Sequence, residues 1–288
     1  MIQLNRRHLV GGLAGATVAA TAAFPRWPLA QGASGKAEID RALRAAVDAR
    51  RVVGVVALAA TDKGAIYEGA FGSRDAAKGP ALALDSVFWI ASMTKAVTST
   101  AAMQLVEQGR LRLEAPAADV LPELREVQVL EGFDPSGAPR LRPPKRPVTL
   151  HHLLTHTAGF SYDVWNGDIG RYMQVAGVPG VITVKNAALK TPLVFDPGER
   201  WEYGINIDFV GKMVERVSGQ TLEAYFREHI FGPLGMNDTA FRIGPSQRER
   251  LVSMHARQPD GSMQPITFEI PQEPEYYMGG GGLYATGP

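Results

Sequence analysis

The stretch Val87-Phe88-Trp89-Ile90-Ala91-Ser92-Met93-Thr94-Lys95, continuing as Ala96-Val97-Thr98-Ser99-Thr100-Ala101-Ala102-Met103-Gln104-Leu105-Val106, decides how this chain is read. An apolar run leads into Ser92, and a helix-favouring run leaves it until Gly109. This predicts a helix with Ser92 at or near its N-terminus, where free backbone N–H groups and the positive end of the dipole favour negative charge. Lys95 falls on the same helical face one turn later, within reach of the Ser92 hydroxyl. A serine alcohol is a weak nucleophile at neutral pH, and a lysine made neutral by burial or by a nearby cation can take its proton. Taken alone, the pair fits a serine N-cap beside a solvated lysine more readily. A chain of 288 residues contains about one Ser-x-x-Lys by chance.

Composition sets the outer limits. The chain is 45% apolar and 20% charged, with 31 glycines, 20 prolines and no cysteine. That is an ordinary globular balance, with length for one or two domains and a sizeable core. A formal net charge of +1 implies no polyanion and hence no nucleic-acid partner. The lack of cysteine excludes a thiol nucleophile, cysteine-ligated zinc and Fe–S clusters. Residues 1–30 read as a twin-arginine signal peptide: Asn5-Arg6-Arg7-His8-Leu9-Val10 precedes the mildly apolar Gly11 to Phe24, too short and weak to span a bilayer. Cleavage is expected near Ala22 or Ala30, and the location periplasmic or secreted; an uncleaved signal would leave a membrane anchor. These residues hold three arginines and no acid, so the rest, 27 basic against 29 acidic residues, carries a net −2.

Residues 31–288 read as one domain. Lys36 to Arg51 is helix-like, with Ile39, Leu43, Ala46 and Val47 on one face. Val52 to Ala60 reads as a buried strand, Asp62-Lys63-Gly64 as a turn, and Ala65 to Gly72 as the returning strand of a hairpin. Residues 126–146 look like a Pro-rich surface excursion. Thr149 to Thr157 is a short helix closed by Gly159, holding His151, His152 and His156. His152 and His156 have the spacing of a helical zinc pair, but Leu153 stands where a metalloprotease needs glutamate and the segment has no acid. No metal is expected there, and His156 is given a structural place, hydrogen-bonded beneath the site. Tyr162 to Gly180 is aromatic and glycine-rich, either a mobile wall over a pocket or a loop burying its rings. Ile205, Phe209, Met213 and Val217 mark a helix that ends at Gly219. Thr221 to Ile230 gives another, broken by Gly232-Pro233, and the chain ends in a glycine run, Gly279 to Gly282, that reads as flexible.

Several segments together resemble the serine β-lactamase and penicillin-binding-protein-like superfamily, in its class C-related, family VIII carboxylesterase branch. They are Ser92-Met93-Thr94-Lys95; His152-Leu153-Leu154-Thr155-His156-Thr157-Ala158-Gly159; Pro197-Gly198-Glu199 running into Tyr203; Glu215-Arg216-Val217-Ser218-Gly219; and Pro233-Leu234-Gly235-Met236-Asn237-Asp238-Thr239. The resemblance implies an α/β (α+β) fold, an antiparallel sheet flanked by helices plus a mainly helical subdomain, with the site between them. Ser92 would attack an ester or amide carbonyl and form an acyl-enzyme, Lys95 would help deprotonate it, and Tyr203 would be the second member of the acid/base pair. A backbone N–H, that of Ser92 itself, would help hold the oxyanion. No cofactor is implied. Tyr162, Trp165 and Trp201 are the candidate substrate contacts.

Class C β-lactamases carry an asparagine two residues after the tyrosine; Ile205 stands there, with Asn206 one step on and Asp208 five from Tyr203. That favours carboxylesters, with lactam or D-Ala-D-Ala peptide hydrolysis, or a non-catalytic binding role, as alternatives. The third family motif, the late strands and the closing helix should follow Gly282, so the sequence reads as C-terminally truncated.

Overall fold

The computed structural model describes residues 33–76 and 79–288, so the twin-arginine reading of 1–30 lies outside the described residues. The chain divides into two compact units, Met1–Arg41 and Ala42–Pro288. Helix α1, Ala33–Asp48, crosses that division. It ends not on a glycine but on Arg50, whose φ of 53° is left-handed, while Arg51 N–H returns to the Ala46 carbonyl.

In the second unit β1 (Gly54–Thr61) and β2 (Gly64–Gly72) form the expected antiparallel hairpin, with a register shift at Ala59/Ala60. Among the described residues β1 pairs with β2 alone, and its side chains are half-buried or exposed rather than buried as a continuous apolar run suggests. A two-stranded ribbon covers only one edge. β3 (Phe88–Trp89) pairs with β8 (Tyr284–Ala285), joining the start of the Ser92 stretch to the end of the chain.

The core forms around α2 (Thr94–Glu107), α3 (Leu150–Leu154) and α5 (Asn206–Ser218). Thr94, Thr98, Ala101, Ala102 and Leu105 make the buried stripe of α2, and their small side chains let α5 lie close. α5 buries every residue from Asn206 to Gly211 and ends as predicted at Gly219, left-handed with φ 76°. Two antiparallel hairpins complete the sheet content, β4 (Val129–Phe133) with β5 (Pro139–Arg142), and β6 (Met254–Arg257) with β7 (Met263–Ile266). The fold is thus helical with small antiparallel sheets, the α/β class expected.

Several elements differ from the sequence reading. Residues 126–146, read from sequence as a surface excursion, form a hairpin anchored at its base: Val129 and Leu130 are buried, Leu130 N–H bonds the Leu193 carbonyl at 2.8 Å, and Arg142 clasps the fully buried Asp196 through two bonds of 2.9 and 2.8 Å. Within Tyr162–Gly180, residues Gly167–Ala176 form helix α4, capped by Asn166 (bonds of 3.1 Å from Asp168 and Ile169 N–H) and stopped by left-handed Gly177. Helix α3 ends at Leu154, earlier than Gly159, because His156 itself turns left-handed with φ 56°. Gly232-Pro233 does not break the helix begun by α6 (Leu222–Phe226). A π-turn at Arg227–Phe231 sends the Gly232 N–H to the Arg227 carbonyl, and α7 (Gly232–Leu234) carries Pro233 in its first turn until left-handed Gly235. The last helix, α8 (Pro245–Arg248), precedes β6.

Phe226 is fully buried and meets Phe231 edge-on at 5.7 Å and Phe241 stacked at 5.6 Å. Phe226→Ala should lower unfolding free energy by about 3–5 kcal/mol in urea denaturation.

Candidate active site

Ser92 sits where β3 gives way to α2. Ile90 N–H bonds the Leu283 carbonyl, Ala91 adopts a left-handed φ of 46°, and a 3₁₀ turn, Ala91–Met93, precedes α2. A non-glycine residue in that region costs roughly 1–3 kcal/mol and persists only where its surroundings impose it. Here the pairing of β3 with β8, the Trp89 indole donating to Gly281 O at 2.6 Å, and Leu283 N–H donating to Thr94 Oγ1 at 3.1 Å hold both flanks. The reversal leaves the Ser92 side chain exposed at the mouth of α2.

Lys95, half-buried one turn later, donates to Ser92 Oγ at 3.2 Å, to Gly280 O at 2.6 Å and to the Tyr162 hydroxyl at 3.4 Å. The Tyr203 hydroxyl donates to Ser92 Oγ at 2.7 Å. Tyr203 reaches the site because Gly204 follows it: a Cβ at that position would overlap the Phe160 carbonyl. Lys95 Nζ also lies 4.6 Å from the Tyr203 ring centroid, within cation–π range.

The surroundings are aromatic. Tyr162 and Trp201 meet the Tyr203 ring at 5.4 and 6.2 Å, and the buried His156 ring lies 4.9 Å from it. Burial, then the charge of Asp208, holds the Tyr162 phenol well above its usual range, so it stays protonated. Burial and the Lys95 charge push His156 down to about 4. Its Nδ1 faces the Asn206 amide nitrogen at 3.0 Å and so accepts from it as a neutral imidazole. His152 is occupied differently, in a reciprocal cap with Thr149 at 3.2 and 3.3 Å.

Ser92, Lys95 and Tyr203 are therefore brought together from two distant segments, with Tyr162 and Trp201 against them. Trp165 is 70% exposed and stands outside this ring cluster among the described residues. The glycine run, read as flexible from sequence, is the opposite: every residue from Met278 to Ala285 is buried. Gly279 O accepts from Thr98 Oγ1 at 2.8 Å, and Gly280 N–H donates to Asp208 Oδ1 at 2.8 Å. Gly280 and Asp208 are site residues that sequence reasoning did not assign. Four consecutive glycines shortly after the aromatic pair Tyr276-Tyr277 were the available signal, since close backbone approach demands glycine as much as flexibility does.

A family model described as Beta-lactamase matches residues 39–287. The chain belongs to the beta-lactamase family. Among similar proteins of this family, acyltransferase mokF from Monascus pilosus is 38% identical over 77% of the chain and 55% of its own length. Lovastatin esterase from Penicillium rubens is 34% identical over 86% of the chain and 65% of its own length. The LovD6 mutant of simvastatin synthase from Aspergillus terreus superposes with a TM-score of 0.80 at 34% identity, over 87% of the chain and 63% of that structure. The chain thus spans 55–65% of the length of these beta-lactamase-family relatives.

Because folded His156 resists protonation until about pH 4 while the unfolded residue titrates near 6.5, the unfolded state binds more protons between those values. The His156 contribution is complete above pH 6.5 and is lost as pH falls toward 4. Asp208, raised to about 6, acts in the opposite sense, so the comparison must be with a variant. His156→Asn tolerates the left-handed backbone. Urea denaturation at pH 7.5 and 4.5 should show the stability advantage of wild type over this variant shrinking by roughly 2–3 kcal/mol at the lower pH.

Proposed function

We propose that this beta-lactamase-family chain is a serine hydrolase that acts on carboxylic esters through an acyl-enzyme on Ser92. The observation that carries the reading is the convergence on Ser92 Oγ of Tyr203 at 2.7 Å and Lys95 at 3.2 Å. With Lys95 reacting as the free amine, the Ser92 proton passes to Lys95 Nζ as Oγ attacks the ester carbonyl. The Tyr203 hydroxyl keeps its hydrogen bond to Oγ and steadies the developing charge. Collapse of the tetrahedral intermediate breaks the carbonyl–alkoxy bond, and the same proton leaves with the alcohol. Water then adds to the acyl group, gives its proton to Lys95, and releases the acid with Ser92 restored. An alcohol in place of water would make the reaction an acyl transfer, and relatives bearing both kinds of name, esterase and acyltransferase, support that pairing.

Ester rather than lactam chemistry is supported by the residues after Tyr203. Ile205 is 3% exposed, and Asn206, fully buried, spends its amide on His156, so neither presents an amide to a substrate. The aromatic surround of Tyr162 and Trp201 supports a small-molecule substrate with an apolar portion.

A fluorophosphonate probe should label the wild type and not Ser92→Ala. Lys95→Ala and Tyr203→Phe should each slow labelling and p-nitrophenyl ester hydrolysis by about two to four decades. A D-Ala-D-Ala peptide or a chromogenic cephalosporin cleaved while esters are untouched would overturn the ester reading, and a wild type that takes no label would make the chain a binding module.

We also propose export by the twin-arginine route. Residues 1–30 fused to a folded fluorescent reporter should carry it to the periplasm, and Arg6→Lys with Arg7→Lys should retain it in the cytoplasm.

A further inference from the structure

Asp208 lies in the first turn of α5 with no solvent exposure. Enclosing an ionised carboxyl costs several kcal/mol unless charge or hydrogen bonds offset it, yet among the described residues no cation stands within ion-pair distance of it. Its Oδ1 accepts from Gly280 N–H at 2.8 Å, and its Oδ2 has no protein partner. A Cβ on Gly280 would lie 2.6 Å from that free oxygen, so the carboxyl and the glycine backbone are in direct contact. The other end of Gly280, its carbonyl, takes the shortest of the three Lys95 bonds, at 2.6 Å. One residue is thereby gripped at both ends, by a buried acid on α5 and by the candidate catalytic amine on α2.

We propose that Asp208 is a positioning residue for Lys95: through Gly280 its carboxylate fixes the carbonyl that holds the amine against Ser92, and it directs a negative field at that amine across a single residue. The proposal rests on the acyl-enzyme reading above and adds to it a residue that never touches the substrate. The electrostatics agree. Burial raises the Asp208 carboxyl to about 6, and the Gly280 bond and the Lys95 charge are what hold it down. The ionisable groups facing it are Lys95 from α2, Tyr162 from the turn before α4, and Tyr276 from the segment before the glycine run. Both phenols are held well above their ordinary range, so neither titrates near pH 6.

Asp208→Asn keeps the shape and the acceptor and deletes the charge. At pH 7.5 the rate of fluorophosphonate labelling of Ser92 at saturating probe should fall about tenfold, with the half-saturating concentration within about twofold of wild type and a retained cooperative melt. Labelling at the wild-type rate, or a loss confined to the half-saturating concentration, would overturn the proposal. If the variant does not fold, wild-type labelling between pH 5 and 8 decides: the rate should drop through one titration near pH 6, and a profile flat across that range sinks the idea. A wild type that takes no label at all would instead defeat the acyl-enzyme reading on which both rest.

Discussion

The bond from Lys95 Nζ to the carbonyl of Gly280 joins residues 185 apart in sequence and constrains most of what surrounds the site. For an amine on α2 to reach that carbonyl, the chain from Met278 to Leu283 has to run against both α2 and α5. At its glycines there is no space for side chains. A Cβ on Gly279 would stand 3.0 Å from the Ile207 carbonyl and 3.1 Å from Thr98 Cγ2, and one on Gly282 would stand 2.9 Å from the Phe241 ring. The glycines are therefore a packing requirement. The hydroxyls of Thr94 and Thr98, fully buried on α2, satisfy the backbone groups that such a passage would leave without partners.

Two buried carboxyls show how differently the same group can be used. Asp196 meets Arg142 through both oxygens, with Lys145 contributing its backbone N–H at 2.7 Å, and is held well below the usual carboxylate range. It is a compensated tie between the β4–β5 hairpin and the segment leading to Tyr203, and its energetics are those of a paired ion. Asp208 has one backbone N–H and one orphaned oxygen, and burial raises it instead. A fold under pressure for stability alone would replace the second arrangement more readily than the first. Incompletely satisfied charge is characteristic of sites whose geometry serves chemistry.

How much of this was legible follows from sequence distance. Ser92 and Lys95 are three residues apart, Ser92 in the 3₁₀ turn that leads into α2 and Lys95 in its first turn, so local periodicity places them together, and the structure agrees on a helix start there. Tyr203 is 111 residues from Ser92, and no local rule joins them; only the resemblance to a family did. Helix α4 went unread because Gly167 and Gly170 mask its pattern, although Asn166 and Gly177 are ordinary start and stop signals. Pro233 looked like a break because a proline clashes with the preceding turn of an α-helix, and a π-turn removes the conflict. The glycine run was misread for a deeper reason. A residue without a side chain carries no mark in the sequence of whether freedom or crowding selected it.

Exposure around the site explains why its parts could not be weighed one by one. Ser92 is open to solvent, Lys95 and Tyr203 are half-buried, and His156, Asn206, Asp208 and the Gly279–Gly282 run are buried behind them. Each layer is positioned by the next: left-handed Ala91 turns Ser92 outward, Gly204 lets Tyr203 approach, and His156 packs against the Tyr203 ring. In the proposed reaction, pre-positioning of this kind would reduce reorganisation at the moment charge develops on Ser92 Oγ. It also accounts for the tolerated strain at Ala91 and His156, two non-glycine residues in left-handed conformation, one preceding Ser92 and the other packed against the Tyr203 ring. Neither conformation would survive on local preference, so the buried layers behind them must supply the difference.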